Sequence, residues 1–181
     1  MKKTTSRRLF LQKSAIATTG IALLSSTVVN AFTTECPFNG YNPYAEEKAD
    51  LRISGFGKEI KVKGILYNKI SGQPIHNANI EVWHLSPNST KFRNRGKLKT
   101  NSAGDYTFIS NFPNKEHAKA ARIYFKVNND GKTIFTELIL NESGAHISGN
   151  HWEANQNLGE KLFPKTNQNV NTTQIEFNLS I

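Results

Sequence analysis

The chain has 181 residues, 37% of them hydrophobic, and carries 23 basic against 14 acidic side chains for a formal net charge of +9. That length suits one folded domain, and a single cysteine, Cys36, excludes an internal disulfide, so stability must come from the core. The positive charge invites a nucleic-acid reading, yet no nucleic-acid-binding motif accompanies it.

At the start, Lys2 and Lys3 precede Ser6-Arg7-Arg8-Leu9-Phe10-Leu11-Gln12-Lys13, which resembles a twin-arginine export signal at nearly every position. An apolar run over 15–29 follows, and Val29-Asn30-Ala31 has the small-residue spacing that signal peptidase accepts. The run falls short of the roughly 20 apolar residues that span a bilayer. The expected outcome is passage through the twin-arginine translocase, cleavage after Ala31, and an extracytoplasmic (periplasmic or secreted) protein with no stable membrane span. Cleavage removes Lys2, Lys3, Arg7, Arg8 and Lys13 and no acid, which leaves 18 basic against 14 acidic residues and a net charge of +4. Proteins exported by this route cross already folded, many with a cofactor loaded beforehand, which hints at a bound cofactor.

Residues 32–50 are rich in Pro, Gly, Asn and aromatics without period, and read as an ordered arm. Strands begin after it. Ile60, Val62 and Leu66 alternate with polar or small residues, Ser71-Gly72 marks a turn, and Ala78, Ile80 and Val82 alternate with Asn79, Glu81 and Trp83, a hairpin pattern. Further short strands are predicted over 106–110, 122–128, 133–140 and 174–179. The polar, Asn-rich stretch 141–171 exceeds an ordinary loop and reads as a functional lid or a mobile excursion. The predicted organisation is a signal peptide over 1–31, an arm over 32–50 and, over 51–181, an all-β domain folded as an antiparallel β-sandwich.

The order of motifs carries a resemblance. Lys63-Gly64-Ile65-Leu66 is followed by residues 71–84 (SGQPIHNANIEVWH), then by 100–108 (TNSAGDYTF) and 120–127 (AARIYFKV). This succession resembles the intradiol ring-cleavage dioxygenases, with their G-x-P-(I/V)-x-x-A strand ending in Trp, a T-x-x-x-G-x-Y-x-F strand and an R-P-A-H-I-H-F strand. Glu35-Cys36-Pro37-Phe38 is similar to the family's E-G-P-F, and Thr136-Glu137-Leu138 to its T-Q-L. The first hairpin alone also resembles transthyretin-like and carboxypeptidase-regulatory-like β-modules. The resemblance implies a sandwich holding a ferric ion on two tyrosinates and two histidines, with a catechol as substrate.

Those ligands are not matched in kind. The first tyrosine falls at Phe92, the second a few residues past Pro113, where the chain reads Asn114-Lys115-Glu116-His117, and the two histidines at Arg122 and Tyr124. Phe92 has no donor, and a guanidinium offers no lone pair and repels a cation. The family's active-site arginine aligns with Lys119, and the glutamine of T-Q-L with Glu137. The expected site is therefore an ancestral pocket of Phe92, Glu116, Lys119, Arg122, Tyr124 and Glu137, with Arg122 paired to Glu116 or Glu137 where the iron would stand. No cofactor and no catalytic residue is then expected. A rearranged ferric site using His117 and Tyr124 is the enzyme alternative.

His84 reads as a strand-end residue, His76 as exposed, and His146, His151 and Glu153 as a solvated loop whose spacing fits no metal pattern. Lys91, Arg93, Arg95, Lys97 and Lys99 would form a basic stripe if extended. Tyr106 and Phe108 read as core, and Cys36 as a free, partly buried thiol. Three functions follow: an exported dioxygenase-like domain that binds a small aromatic or anionic ligand or serves structurally; an active catechol-type dioxygenase with Fe(III); or a transthyretin-like or carboxypeptidase-regulatory-like accessory module. The first two predict a recess at Phe92, Arg122 and Tyr124, and the third a bare wall.

Overall fold

The computed structural model describes residues 35–117 and 119–181; the expected signal peptide lies outside the described residues. Alternation of apolar and polar residues produces ten strands: β1 (Glu59–Tyr67), β2 (Asn79–His84), β3 (Asn94–Lys99), β4 (Asp105–Asn111), β5 (Ala121–Asn129), β6 (Lys132–Asn141), β7 (Gly144–Ile147), β8 (Lys165–Gln168), β9 (Thr172–Glu176) and β10 (Leu179–Ser180). A short helix, α1 (Gly149–Asn155), runs into a 3-10 segment, Gln156–Leu162. One sheet has the order β3-β2-β5-β6-β7, antiparallel throughout; in the other β1 lies between β4 on one side and β9 and β10 on the other, with β8 outside β9.

The period-2 pattern sends Ile60, Val62, Leu66, Phe108 and Ile175 from one sheet against Ile80, Val82, Ile123, Phe125 and Leu138 from the other, each at most 2% exposed. Each such side chain contributes roughly 1.5–3 kcal/mol of transfer free energy, so this layer accounts for the sandwich. Polar groups inside it are partnered. His84, fully buried, points its Nδ1 at the Leu85 carbonyl at 2.8 Å and its Nε2 at Ser110 Oγ at 2.7 Å. A carbonyl can only accept, so Nδ1 carries the proton and the Ser110 hydroxyl donates to Nε2. Desolvation lowers the His84 pKa to about 4, consistent with that neutral tautomer.

Three expectations are corrected. The hairpin of residues 60–66 and 78–82 does not form, because after a tight turn closed by Asn68 N–H to the Gln73 carbonyl and Ile75 N–H to the Leu66 carbonyl the chain crosses to the other sheet, where β2 pairs with β3 and β5. The sandwich is not wholly antiparallel: β1 runs parallel to β9 and β10, the chain leaving the ladder between them at Phe177. Gly64 permits that crossing, since a Cβ there would stand 1.7 Å from the Phe177 carbonyl oxygen, which also accepts from the Tyr106 hydroxyl at 2.6 Å. Lastly, the 141–171 excursion is not an irregular stretch but contains β7, α1, the 3-10 segment and β8.

Residues 46–51 close one side of the molecule. Lys97 N–H donates to the Glu46 carbonyl and Lys48 N–H to the Lys97 carbonyl, covering the free edge of β3; Ile109 N–H donates to the Ala49 carbonyl and Leu51 N–H to the Ile109 carbonyl, covering that of β4. Among the described residues no helix is long and apolar enough to cross a membrane.

Candidate functional site

The outward face of the β2-β5-β6 strands carries the predicted residues. Register places Arg95, Trp83, Tyr124 and Glu137 in one row across β3, β2, β5 and β6. Arg122, two residues before Tyr124, sits on the same face diagonal to Glu137, within reach of a long side chain. Its Nη1 donates to Glu137 Oε2 at 2.5 Å, and the side chains are 21% and 14% exposed. Glu116 does not take the guanidinium; it accepts the Tyr124 hydroxyl at 2.6 Å. Burial and the Glu116 carboxylate push that hydroxyl well above the ordinary tyrosine range, so Tyr124 is a protonated donor.

Phe92, Phe38 and Trp83 surround Tyr124. Phe38 stacks on its ring at 4.7 Å between centroids, Trp83 lies at 5.7 Å and Phe92 at 6.3 Å. Phe92 in turn packs over Gly40, whose φ of +75° suits glycine and whose missing Cβ leaves room for the ring. The indole of Trp83 donates to the Asn39 carbonyl at 2.9 Å, and the Tyr41 hydroxyl bridges Lys126 at 2.6 Å and Glu81 at 3.1 Å. Tyr124 is therefore only 4% exposed. The recess expected at Phe92, Arg122 and Tyr124 is filled by aromatic rings, and the wall is not bare either, because Phe38 of the arm covers it. A cavity of about 300 Å³ shares Phe38 and Glu137 with the cluster and runs from them to His151 and Ile181.

Lys119 and His117 are not part of this cluster; they line a separate cavity at one end of the sandwich. The basic stripe is shorter than five residues, because β3 begins at Asn94: Arg95, Lys97 and Lys99 share a face, while Lys91 and Arg93 precede the strand. His151 is not solvated but 5% exposed, its Nδ1 against Thr136 Oγ1 at 2.8 Å. Desolvation lowers its pKa to about 4. Cys36 is free and half-buried, and burial raises its thiol pKa. The Tyr41, Glu81 and Lys126 network was not predicted; its one signal was the outward placement of Glu81 and Lys126, which reads equally as a solvated face.

The architecture agrees with known structures. The dioxygenase domain of a dioxygenase carbohydrate-binding protein fusion from Streptomyces sp. SirexAA-E superposes with a TM-score of 0.62 at 15% identity, over 81% of this chain and 95% of that one. This chain has the intradiol ring-cleavage dioxygenase fold. An intradiol ring-cleavage dioxygenase from Tetranychus urticae gives 0.59 at 15% identity over 78% and 89% of the two chains. For 3-chlorocatechol 1,2-dioxygenase from Rhodococcus opacus 1CP the values are 0.56, 14%, 77% and 68%. No family model matches the sequence, and a search of curated proteins gave no match.

The residues present do not suit the ferric ion that the sequence resemblance implies. Hard Fe(III) needs anionic or lone-pair donors. At three of the four positions the resemblance assigns to its ligands stand a phenyl ring, a guanidinium and a tyrosine that holds its proton against a carboxylate; at the fourth, past Pro113, Glu116 is that carboxylate and His117 lines the separate cavity. Arg122 brings a fixed positive charge to the place a cation would occupy, and its Nε is buried without a hydrogen-bond partner among the described residues. The second acid, Glu137, is already engaged by that guanidinium.

Proposed function

We propose that the protein is an exported domain of intradiol dioxygenase fold that has lost ring-cleaving chemistry and acts by binding or as a structural domain. The observation that carries this reading is the Arg122–Glu137 pair at 2.5 Å, standing where the resemblance places a metal. The guanidinium supplies the positive charge that a ferric ion would supply, and satisfies one carboxylate without offering an open coordination position. Tyr124 and Glu116 form a second, neutral-to-anionic hydrogen bond beside it, of the strong charge-assisted kind. The arm residues then cover the face where a substrate would approach, so the cluster's binding energy is spent on holding residues 38–41 to the sheet.

Export is inferred from the twin-arginine pattern around Arg7 and Arg8. Replacing both by lysine is expected to leave the full-length precursor in the cytoplasm; continued export would refute the route. For the site, metal content, visible spectrum and oxygen uptake with catechol are measured on protein from iron-replete cells. Colourless protein with sub-stoichiometric iron and no uptake is expected. One iron per chain with a tyrosinate charge-transfer band would overturn the proposal in favour of a rearranged ferric site.

A further inference from the structure

The end of the sandwich where β1, β5 and β9 begin and β4 and β6 finish holds a cavity of about 1170 Å³. Its floor is formed by Phe112, Ala121 and Leu140. Ala121 and Leu140 are each 3% exposed and belong to the inter-sheet core, against which Phe112 packs, so the cavity is the place where that core meets solvent. Val170, in the turn between β8 and β9, lines the cavity while 91% exposed.

The rim is cationic. Lys58 comes from the segment before β1, and Lys115 and Lys119 from the segment joining β4 to β5, with His117 between them. Along that segment Lys115, His117 and Lys119 line the cavity while the intervening Glu116 reaches Tyr124, so the acid that could neutralise the rim is drawn to the other face. Glu142 is the only acid lining the cavity among the described residues, and none of the three lysines forms an ion pair among them. His117 holds a left-handed backbone, φ +44°, a conformation uncommon outside glycine and turn residues and one that gathers at binding segments.

An apolar floor with a few charged groups around it is the composition of small-molecule sites, and a concave wall carrying three lysines against one acid concentrates anions. We propose that this cavity binds a small amphiphilic anion, its apolar body on Phe112, Ala121 and Leu140 and its acidic head among Lys58, Lys115 and Lys119. The inference does not rest on the fate of the ferric site. A carboxylate or phosphate head is also presented by anionic lipids in a bilayer, and the proposal commits to the free molecule because the floor lies at the core rather than on a projecting surface.

The test is calorimetric titration of the full chain with decanoate, against decyltrimethylammonium as the control of opposite charge and phosphatidylglycerol vesicles as the membrane control. Saturable one-to-one binding of decanoate is expected, weakened about tenfold or more by K58E/K115E/K119E, by V170D at the mouth and by added salt. The replaced side chains are on the surface, and circular dichroism confirms that both variants fold. Failure of decanoate to saturate, equal binding of the cationic control, or indifference to both variants would overturn the proposal. Capture by vesicles without binding of free decanoate would overturn it in favour of a lipid surface.

Discussion

The two candidate regions handle charge in opposite ways. On the outward face of β2, β5 and β6 the guanidinium meets Glu137, the Tyr124 hydroxyl meets Glu116, and Lys126 meets Glu81 and Tyr41. At the open end, Lys58, Lys115 and Lys119 surround core residues without such partners among the described residues. Groups that satisfy one another within the protein stabilise it and have little left to offer a ligand. Unpaired cations above an apolar floor leave their interaction energy for something else to use. The fold therefore does not say which region binds; the partnering of side chains does.

That contrast can be broken by substitution. The largest effect is expected from Tyr124→Ala, which removes a ring packed among Phe38, Trp83 and Phe92 and leaves Glu116 without its donor. A loss of about 4 kcal/mol by urea unfolding is expected, and a loss below about 1 kcal/mol would mean that the cluster does not hold the arm.

Acid probes the interior next. His84 and His151 are neutral in the fold, with pKa values of about 4 against 6.5 unfolded. The unfolded chain then binds more protons between those values, so stability is complete above pH 6.5 and declines as pH falls towards 4. The full loss is about 3 kcal/mol for each histidine. Denaturant midpoints across that range should fall with acid in the parent and fall less in His151→Phe; an unchanged slope would place the buried imidazole elsewhere.

Arg122→Ala is expected to cost about 2 kcal/mol by leaving Glu137 unpaired, whereas Arg122→Met with Glu137→Leu should restore most of it. Arg122→Met alone, Glu137→Leu alone and the two together close a double-mutant cycle that measures the pair, and an Arg122→Ala chain as stable as the parent would remove the pair's structural role. Smallest is Tyr124→Phe, about 1.5 kcal/mol, the low end for a hydrogen bond to a charged acceptor. Its ring contacts survive, so a loss comparable to Tyr124→Ala would show that the hydroxyl, not the packing, secures the arm.

Much of the fold is legible in the chain because alternation is local. Ile80 and Val82, Tyr106 and Phe108, and Ile123, Phe125 and Val127 announce strands with one buried face, and the same period puts Arg122 and Tyr124 together on the other. What escapes is what depends on distant partners. The parallel pairing of β1 with β9 joins residues more than a hundred positions apart, and nothing within β1 distinguishes it from a hairpin strand. α1 has seven residues, too few for a helical period to stand out, and His151 becomes buried only because Thr136 and Phe177 lie beside it. The filled recess escapes likewise, since Phe38 and Gly40 sit in an unpatterned arm whose docking no local rule predicts.

The segment over 46–51 also governs how copies of the chain can meet. An uncovered strand edge is a template for adding further strands, and stacked edges are how fibrils grow. With β3 and β4 both occupied by this segment, the outermost strands left are β7, β8 and the two-residue β10, and β8 exposes four polar residues, Lys165, Thr166, Asn167 and Gln168. Such a short, charged margin is a poor seed. Self-association along β3 or β4 would first require residues 46–51 to peel away, which makes their attachment the point at which the protein's resistance to fibril formation is set.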